Sequence, residues 1–244
     1  MSGHSHFKSI RRIKEAEDKK RGQMFSKMAR MISVAVKEGG PNPETNPRLR
    51  LAIEEAKQWN LPKENIDRAI KRATGELPGE KLEEVLFEAY GPGGIAIIIE
   101  GITDNKNRTL GEVKQTLNQN NGKLVGEGSV KWLFERRGCI VVDLKTQNEE
   151  FREREKLEMA AIEAGAEDFY LHDNLLDIYA KIEELEKVKK NLEGKGIKTE
   201  AASLDWVAKE EVTLDEKQKE ACQKLFEVLD GNEAVQEIYS NLKV

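Results

Sequence analysis

The segment GPGGIAIIIE, residues 91–100, joins a turn signal to five consecutive apolar residues. Glycine and proline at 91–94 favour a tight turn, and the apolar run is typical of a β-strand covered on both faces. Around it the pattern predicts strands at 85–90, 123–125 and 130–134, and a helix at 107–120. The segment therefore predicts a sheet with a helix packed on it, near the middle of a 244-residue chain.

Residues 139–207 predict a complete β-α-β-β-α-β unit, which is the ferredoxin-like plan. The predicted strands are 139–144, 168–172, 176–181 and 199–207, and the predicted helices are 152–164 and 183–193. A helix at 214–229 and a strand at 235–242 remain after this unit is complete. We expect these two elements to finish the earlier sheet, so that the third domain is inserted into the second.

The first 75 residues predict three helices. Residues 18–37 carry Met24, Met28 and further apolar side chains at helical spacing, more typical of a core than of a binding groove. Asn46 is expected to cap the second helix, with Pro47 in its first turn, and Pro62 is expected to be the first residue of the third.

The expected architecture is therefore α+β, with a three-helix domain followed by two α/β domains of ferredoxin-like type. Residues 76–82 (ELPGEKL) are the predicted linker between the helices and the first strand. The predicted domains are 1–75, 83–134 together with 208–244, and the inserted 135–207.

Charge is divided unevenly along the chain. Residues 1–72 carry 17 Lys and Arg against 9 Asp and Glu, whereas the whole chain carries 40 against 45. Residues 1–14 hold four cations and no acid. A basic head on an acidic body is expected to direct one end of the protein at a polyanion, and a basic, acid-free arm is typical of phosphate contact.

The cations and histidines of this head are candidate nucleic-acid contacts. In the arm and the first helix they are His4, His6, Lys8, Arg11, Arg12, Lys14, Lys19, Lys20 and Arg21, and on the outer face of the third helix they are Arg68, Lys71 and Arg72. Taken alone, the three cations of the third helix are also explained by a solvated surface. The arm and the Lys19-Lys20-Arg21 run favour nucleic acid.

Signals for catalysis or a cofactor are weak. Gly126-Glu127-Gly128 lacks the third glycine of the dinucleotide motif, and His4 and His6 without a third ligand make a poor metal site. Cys139 and Cys222 are expected to be reduced thiols. We expect no catalytic residue, no cofactor, no metal and no small-molecule substrate. No apolar run approaches the about 20 residues of a membrane helix, so a cytoplasmic protein without a membrane partner is expected.

Several motifs resemble the YebC family. They are Gly3-His4-Ser5, Lys20-Arg21-Gly22, Asn46-Pro47-Arg48-Leu49-Arg50, Pro62-Lys63-Glu64-Asn65-Ile66, Tyr90-Gly91-Pro92-Gly93-Gly94, the segment TDNKNRT at 103–109, and Gly128-Ser129-Val130 before Trp132. The resemblance implies a helical domain and two α/β domains, and no enzymatic activity. It also implies DNA-binding transcriptional regulation, or action on the ribosome as a translation factor that eases synthesis through proline-rich stretches.

Two matched segments bear on contacts. The family's opening is usually GHSKW, whereas this chain has His6-Phe7 at the last two positions, so a contact there is expected to be weaker or more pH-dependent. Lys106 and Arg108 form a second candidate contact, with helix capping by Asn107 or Thr109 as the plainer explanation of that segment. Three targets stay open: promoter DNA, ribosomal RNA, and an acidic protein partner for which the chain is an adaptor.

Overall fold

The computed structural model describes residues 18–172 and 174–243. The helices are α1 (Asp18–Gly39), α2 (Pro47–Gln58), α3 (Lys63–Ala73), α4 (Lys106–Gln119), α5 (Arg154–Ala164), α6 (Leu185–Gly194) and α7 (Glu216–Asp230). The strands are β1 (Glu83–Tyr90), β2 (Ala96–Thr103), β3 (Lys123–Val125), β4 (Phe134–Asp143), β5 (Asp168–His172), β6 (Leu175–Ala180), β7 (Ala201–Ala208) and β8 (Val235–Ser240).

Two four-stranded sheets follow the three helices, in the orders β3-β1-β2-β8 and β5-β6-β4-β7. All neighbouring strands are antiparallel. In the second sheet the chain runs β4-α5-β5-β6-α6-β7, as the ferredoxin-like plan requires. In the first sheet a β1–β2 hairpin comes first, and α4 then leads to β3.

The expected insertion of the third domain into the second is confirmed. The last strand, β8, pairs with β2 of the first sheet, while β4 to β7 form a sheet of their own in between. The fold is therefore α+β with an interrupted middle domain. The residue bounds 1–75, 83–134 with 208–244, and 135–207 stay predictions.

Two local predictions are wrong. Residues 130–134 are not a strand: Lys131–Leu133 form a 3-10 turn and β4 begins at Phe134. The reason is that Glu88 accepts the N–H groups of Val130 and Lys131, which a strand would offer to its neighbour. Pro62 is the N-cap of α3, with extended backbone, and Lys63 is the first helical residue.

Each domain has its own apolar core. Met24, Met28 and Ile32 of α1 pack with Leu49 and Ile66 in the helical domain, so the methionine stripe is core as expected. In the first sheet domain, α4 and α7 both cover the face that carries Ile97 and Ile99. Cys139 and Cys222 are buried and are not joined in a disulfide, and burial raises the pKa of Cys222 to about 11.

Charged side chains attach the helical domain to both sheet domains. Lys27 Nζ donates to Asp230 Oδ1 at 2.8 Å and to the Asp230 carbonyl at 2.7 Å, which joins α1 to the end of α7. On the other side, Lys189 of α6 pairs with Glu54 of α2 at 2.5 Å. Across residues 18–172 and 174–243, no helix combines the length and apolar character needed to span a bilayer.

Candidate nucleic-acid interface

A groove of about 670 Å³ opens between α1, α3 and the segment 78–82. The buried residues that line it include Ser33 and Ala69. Ser33 Oγ lies 2.9 Å from the Ala29 carbonyl and 3.4 Å from that of Ala69. The small side chains of Ser33 and Ala69 let α1 and α3 approach closely. The floor of the groove is therefore formed by buried residues at the contact between the two helices.

Four cations line this groove together with one carboxylate. Arg30 and Lys37 come from α1, Arg68 and Arg72 from α3, and the acid is Glu80. Arg68 and Arg72 are exposed, and neither is among the ion pairs found between the described residues, such as the Arg30–Glu233 pair. Their guanidinium groups are therefore available to an anion, which they can bind in a bidentate manner.

The predicted linker forms one wall of the groove because it folds back on α3. The N–H groups of Glu76 and Leu77 donate to the Lys71 carbonyl at 2.9 and 3.2 Å. A Cβ at Gly79 would lie 3.2 Å from Arg72 Cβ, so this segment also packs on the stem of Arg72. The linker thus holds one of the four cations in place.

The structure brings two of the predicted contacts, Arg68 and Arg72, into the groove. Lys71 is exposed on the same helix but outside the groove lining, and Arg21 is exposed on α1. Lys19 and Lys20 belong to α1, but their side chains are outside the described part of the chain. His4, His6, Lys8, Arg11, Arg12 and Lys14 also lie outside the described residues. The arm therefore stays a prediction.

The second predicted contact lies at the start of α4. Asn105 is the N-cap of this helix, with its side-chain oxygen accepting the Arg108 N–H at 3.1 Å. Capping by Asn107 or Thr109 is therefore wrong, because both lie inside the helix. The hydroxyl of Thr109 is buried and lies 2.8 Å from that of Thr103.

Two carboxylates hold Arg108 at this position. Its guanidinium lies 2.5 Å from Asp104 and 3.8 Å from Glu112. Desolvation opposes ionisation of Asp104, but hydrogen bonds from its own N–H and from Arg108, with the charges of Arg108 and Arg30, lower its pKa. Lys106 is exposed in the first turn of α4. The two predicted residues thus differ: Lys106 is open to solvent and Arg108 is neutralised.

Comparison with known proteins gives the family. A profile described as "TACO1/YebC protein N-terminal domain" matches residues 5–76, and one described as "TACO1/YebC second and third domain" matches residues 82–242. The chain belongs to the TACO1/YebC family. In this TACO1/YebC chain the first match ends at residue 76 and the second begins at residue 82. The segment that forms the groove wall, residues 78–82, therefore lies at the junction of the two matched regions.

Relatives of this family cover the whole chain. Proteins from Halothermothrix orenii and Persephonella marina are 46% and 48% identical to it, over 100% of this chain and 96% of each relative, and both are named "probable transcriptional regulatory protein". The crystal structure of a conserved hypothetical protein from Aquifex aeolicus has 45% identity and a TM-score of 0.86, covering 94% of this chain and 93% of that one.

Sequence reasoning missed two of the groove cations in this TACO1/YebC chain, Arg30 and Lys37. They lie seven residues apart on α1, so they share one side of the helix. That spacing was the available signal. Their meeting with Arg68 and Arg72 depends on how α1 packs against α3, which the spacing does not reveal. Within the described ranges, no cluster of three or more His, Cys, Asp or Glu side chains is suited to a metal ion.

Proposed function

We propose that this chain is a non-enzymatic, nucleic-acid-binding regulator of gene expression that contacts the phosphate backbone with its helical domain. The observation that supports this is the groove between α1 and α3, where Lys37, Arg68 and Arg72 are exposed beside one lining acid, while the fourth cation, Arg30, pairs with Glu233 at 3.7 Å. Arg and Lys contacts to phosphate supply most of the sequence-independent affinity for nucleic acid. The name shared by the relatives supports a regulatory role, with DNA as the first target.

The acidic remainder of the chain supports a directed mode of binding. Outside residues 1–72 the chain carries 23 Lys and Arg against 36 Asp and Glu. A polyanion is repelled by such a body and attracted by the head. The helical domain would therefore meet the phosphates of a duplex, while the two sheet domains stay available to a further ligand or partner.

Salt dependence of binding tests this proposal. Fluorescence anisotropy with a labelled DNA duplex should give a log K that falls linearly with log salt, by about 0.9 for each phosphate neutralised. Arg68→Gln/Arg72→Gln should weaken binding and make this slope shallower by about 1.8, because two contacts are lost. The matched control is Lys217→Gln/Lys224→Gln, which removes two exposed cations of α7 and should leave both affinity and slope unchanged.

The same titration separates the alternatives. Tighter binding to a structured RNA than to the duplex would favour the ribosomal target over promoter DNA. A flat salt response, or equal loss in the groove variant and the α7 control, would contradict the groove as the binding site. Failure to retain either nucleic acid at low salt would contradict the proposed function and favour the adaptor with an acidic protein partner.

A further inference from the structure

Trp132 is the most exposed large apolar side chain of the described residues, with 64% of its surface accessible. It lies in the 3-10 turn Lys131–Leu133, directly before β4. Its indole N–H donates to the Ser129 carbonyl at 3.0 Å, so the ring is held by one edge while its faces meet solvent. A large aromatic side chain held in this way is typical of a binding surface.

The loop that presents Trp132 is built around a buried carboxylate. Glu88 of β1 is 2% exposed, and its oxygens accept the N–H groups of Gly128 and Val130 at 2.6 Å and of Lys131 at 2.9 Å. Three charge-assisted hydrogen bonds in a buried site fix the backbone of the loop. The position of the Trp132 ring is therefore set before any ligand arrives, which lowers the entropic cost of binding.

Two lysines lie at the turn that carries Trp132. Lys209 Nζ donates to the Trp132 carbonyl at 2.9 Å. Lys131 is the preceding residue, and its Nζ lies 5.1 Å from the centroid of Trp206. Both lysines are exposed. The same loop carries one exposed carboxylate, Glu127. The buried carboxylate of Glu88 accepts backbone N–H groups of the loop and does not face solvent.

The face of the first sheet on which Glu88 meets the loop also carries an aromatic side chain, Tyr90, and a third lysine, Lys123. Tyr90 lies two residues after Glu88 on β1, so its side chain shares the face on which Glu88 meets the loop. Lys123 of β3 is the antiparallel partner of Tyr90, so it shares that face as well. Tyr90 is 38% exposed and Lys123 is exposed.

We propose that this aromatic–lysine surface, formed by Trp132, Tyr90, Lys123, Lys131 and Lys209, binds single-stranded nucleic acid by stacking unpaired bases. Aromatic faces that take successive bases, with cations beside them for the phosphates, are the usual arrangement in single-strand binding proteins. An exposed tryptophan also suits a protein interface, but three exposed lysines, at this turn and on the sheet face of Tyr90, favour a polyanion. The inference rests on the proposed function and adds a class of ligand: a strand with unpaired bases.

Stacking and phosphate contact are separable by experiment. Anisotropy titrations would use an unstructured oligoribonucleotide and a DNA duplex of equal length. Trp132→Ala should weaken binding to the single strand by about tenfold. The slope of log K against log salt should stay the same, because stacking releases no counterions. Trp132→Phe keeps a stacking ring and should retain most of the affinity.

One further variant is a control for the loss of an exposed apolar side chain, and two others test the charges beside Trp132. Met159→Ala removes a 59% exposed apolar side chain from α5 and should not change binding. Lys209→Gln should reduce the single-strand slope by about 0.7, as expected for one phosphate contact. Glu127→Gln should strengthen binding, since it removes the exposed carboxylate beside the ring.

The outcomes distinguish this inference from the proposed function. If Trp132→Ala binds the single strand as the unchanged protein does while Arg68→Gln/Arg72→Gln weakens binding, the inference fails and the proposed function stands. Equal weakening of single-strand and duplex binding by Trp132→Ala also overturns it, because the surface then does not select unpaired bases. If the unchanged protein binds no nucleic acid at low salt, both fail.

Discussion

Arg136 of β4 and Glu100 of β2 form an ion pair of 2.8 Å that joins the two sheets. The same carboxylate accepts the indole N–H of Trp206 at 2.9 Å and the hydroxyl of Tyr239 at 3.1 Å. Burial raises the pKa of Tyr239 well above its ordinary value, so its hydroxyl remains a donor. This cluster therefore joins β2 and β8 of the first sheet to β4 and β7 of the second.

Breaking this pair should destabilise the protein. Arg136→Met leaves Glu100 partly buried without its cation, and the free energy of unfolding should fall by about 2 kcal/mol. Urea denaturation measures the change. Arg154→Met is the matched control, because Arg154 forms an exposed pair with Glu158 at 2.5 Å on α5, for which we expect a loss below about 0.5 kcal/mol. Equal losses in the two variants would contradict a special role for the Arg136–Glu100 pair.

The buried carboxylate under the aromatic–lysine surface makes stability depend on pH. Desolvation opposes ionisation of Glu88, but the N–H donors of Val130, Gly128 and Lys131, with the charge of Lys131, outweigh it and lower its pKa. Because the folded-state pKa lies below the unfolded value of about 4.3, this stabilisation is complete above that pH. It is lost as pH falls through the folded-state pKa.

Glu88→Gln tests this dependence. Its amide N–H₂ group would face N–H donors of the loop, so the free energy of unfolding at pH 7 should fall by about 2 kcal/mol. The difference between Glu88→Gln and the unchanged protein should shrink as pH is lowered from 5 to 3, since the unfolded chain then binds a proton at Glu88 that the folded protein takes up only at lower pH. Denaturation curves at several pH values measure it. A difference that stays constant over this range would show that ionisation of Glu88 does not stabilise the loop.

The side chain of Asn46 connects α1 to α2, because its amide group both accepts and donates hydrogen bonds. Its side-chain oxygen accepts the Leu49 N–H at 3.0 Å, and its N–H₂ group donates to the Ala35 and Gly40 carbonyls at 2.7 and 2.8 Å. Asn46→Ala should cost about 2 kcal/mol, from the lost cap and the lost buried donor. Asn42→Ala removes only an exposed hydrogen bond, in which Asn42 Oδ1 accepts the Glu44 N–H at 2.9 Å, and should cost about 0.5 kcal/mol.

Asn46→Asp separates the two roles. The carboxylate keeps the cap but places negative charge beside two carbonyl oxygens, so this variant should be at least as unstable as Asn46→Ala at pH 7. It should recover stability near pH 3, where the carboxyl group can donate again. Thermal denaturation at both pH values measures this. An Asp variant as stable as the unchanged protein at pH 7 would show that the cap alone matters.

The two predicted contacts of α4 should differ in their effect on binding. Arg108→Gln should change nucleic-acid affinity little, because Asp104 and Glu112 already neutralise Arg108. Lys106→Gln should make the salt slope shallower by about 0.9 on a duplex if this exposed lysine meets a phosphate. Asp104→Asn should strengthen binding, since it releases Arg108. Anisotropy titrations measure all three, and a large loss with Arg108→Gln alone would contradict the assigned difference.

Local chemistry was sufficient for much of the fold. The cap at Asn46 and the proline after it are set by contacts within one turn, so the residues alone predicted where α2 begins. The inserted domain followed from counting elements, because residues 214–242 had no place in a unit already complete. The strand predicted at 130–134 was wrong because the partner of its N–H groups, Glu88, lies 42 residues from Val130 in the chain.

The sites needed the tertiary structure, because they are made of residues that are distant in sequence. The amino-acid sequence determined that the head is basic and that Arg68 and Arg72 share one helix face. Only the packing of α1 on α3 brought Arg30 and Lys37 beside them. Likewise, the sequence contained Trp132, but its exposure depends on Glu88 holding the loop. Periodicity reports contacts within a helix or strand, whereas a groove or an exposed ring is set by how separate elements pack.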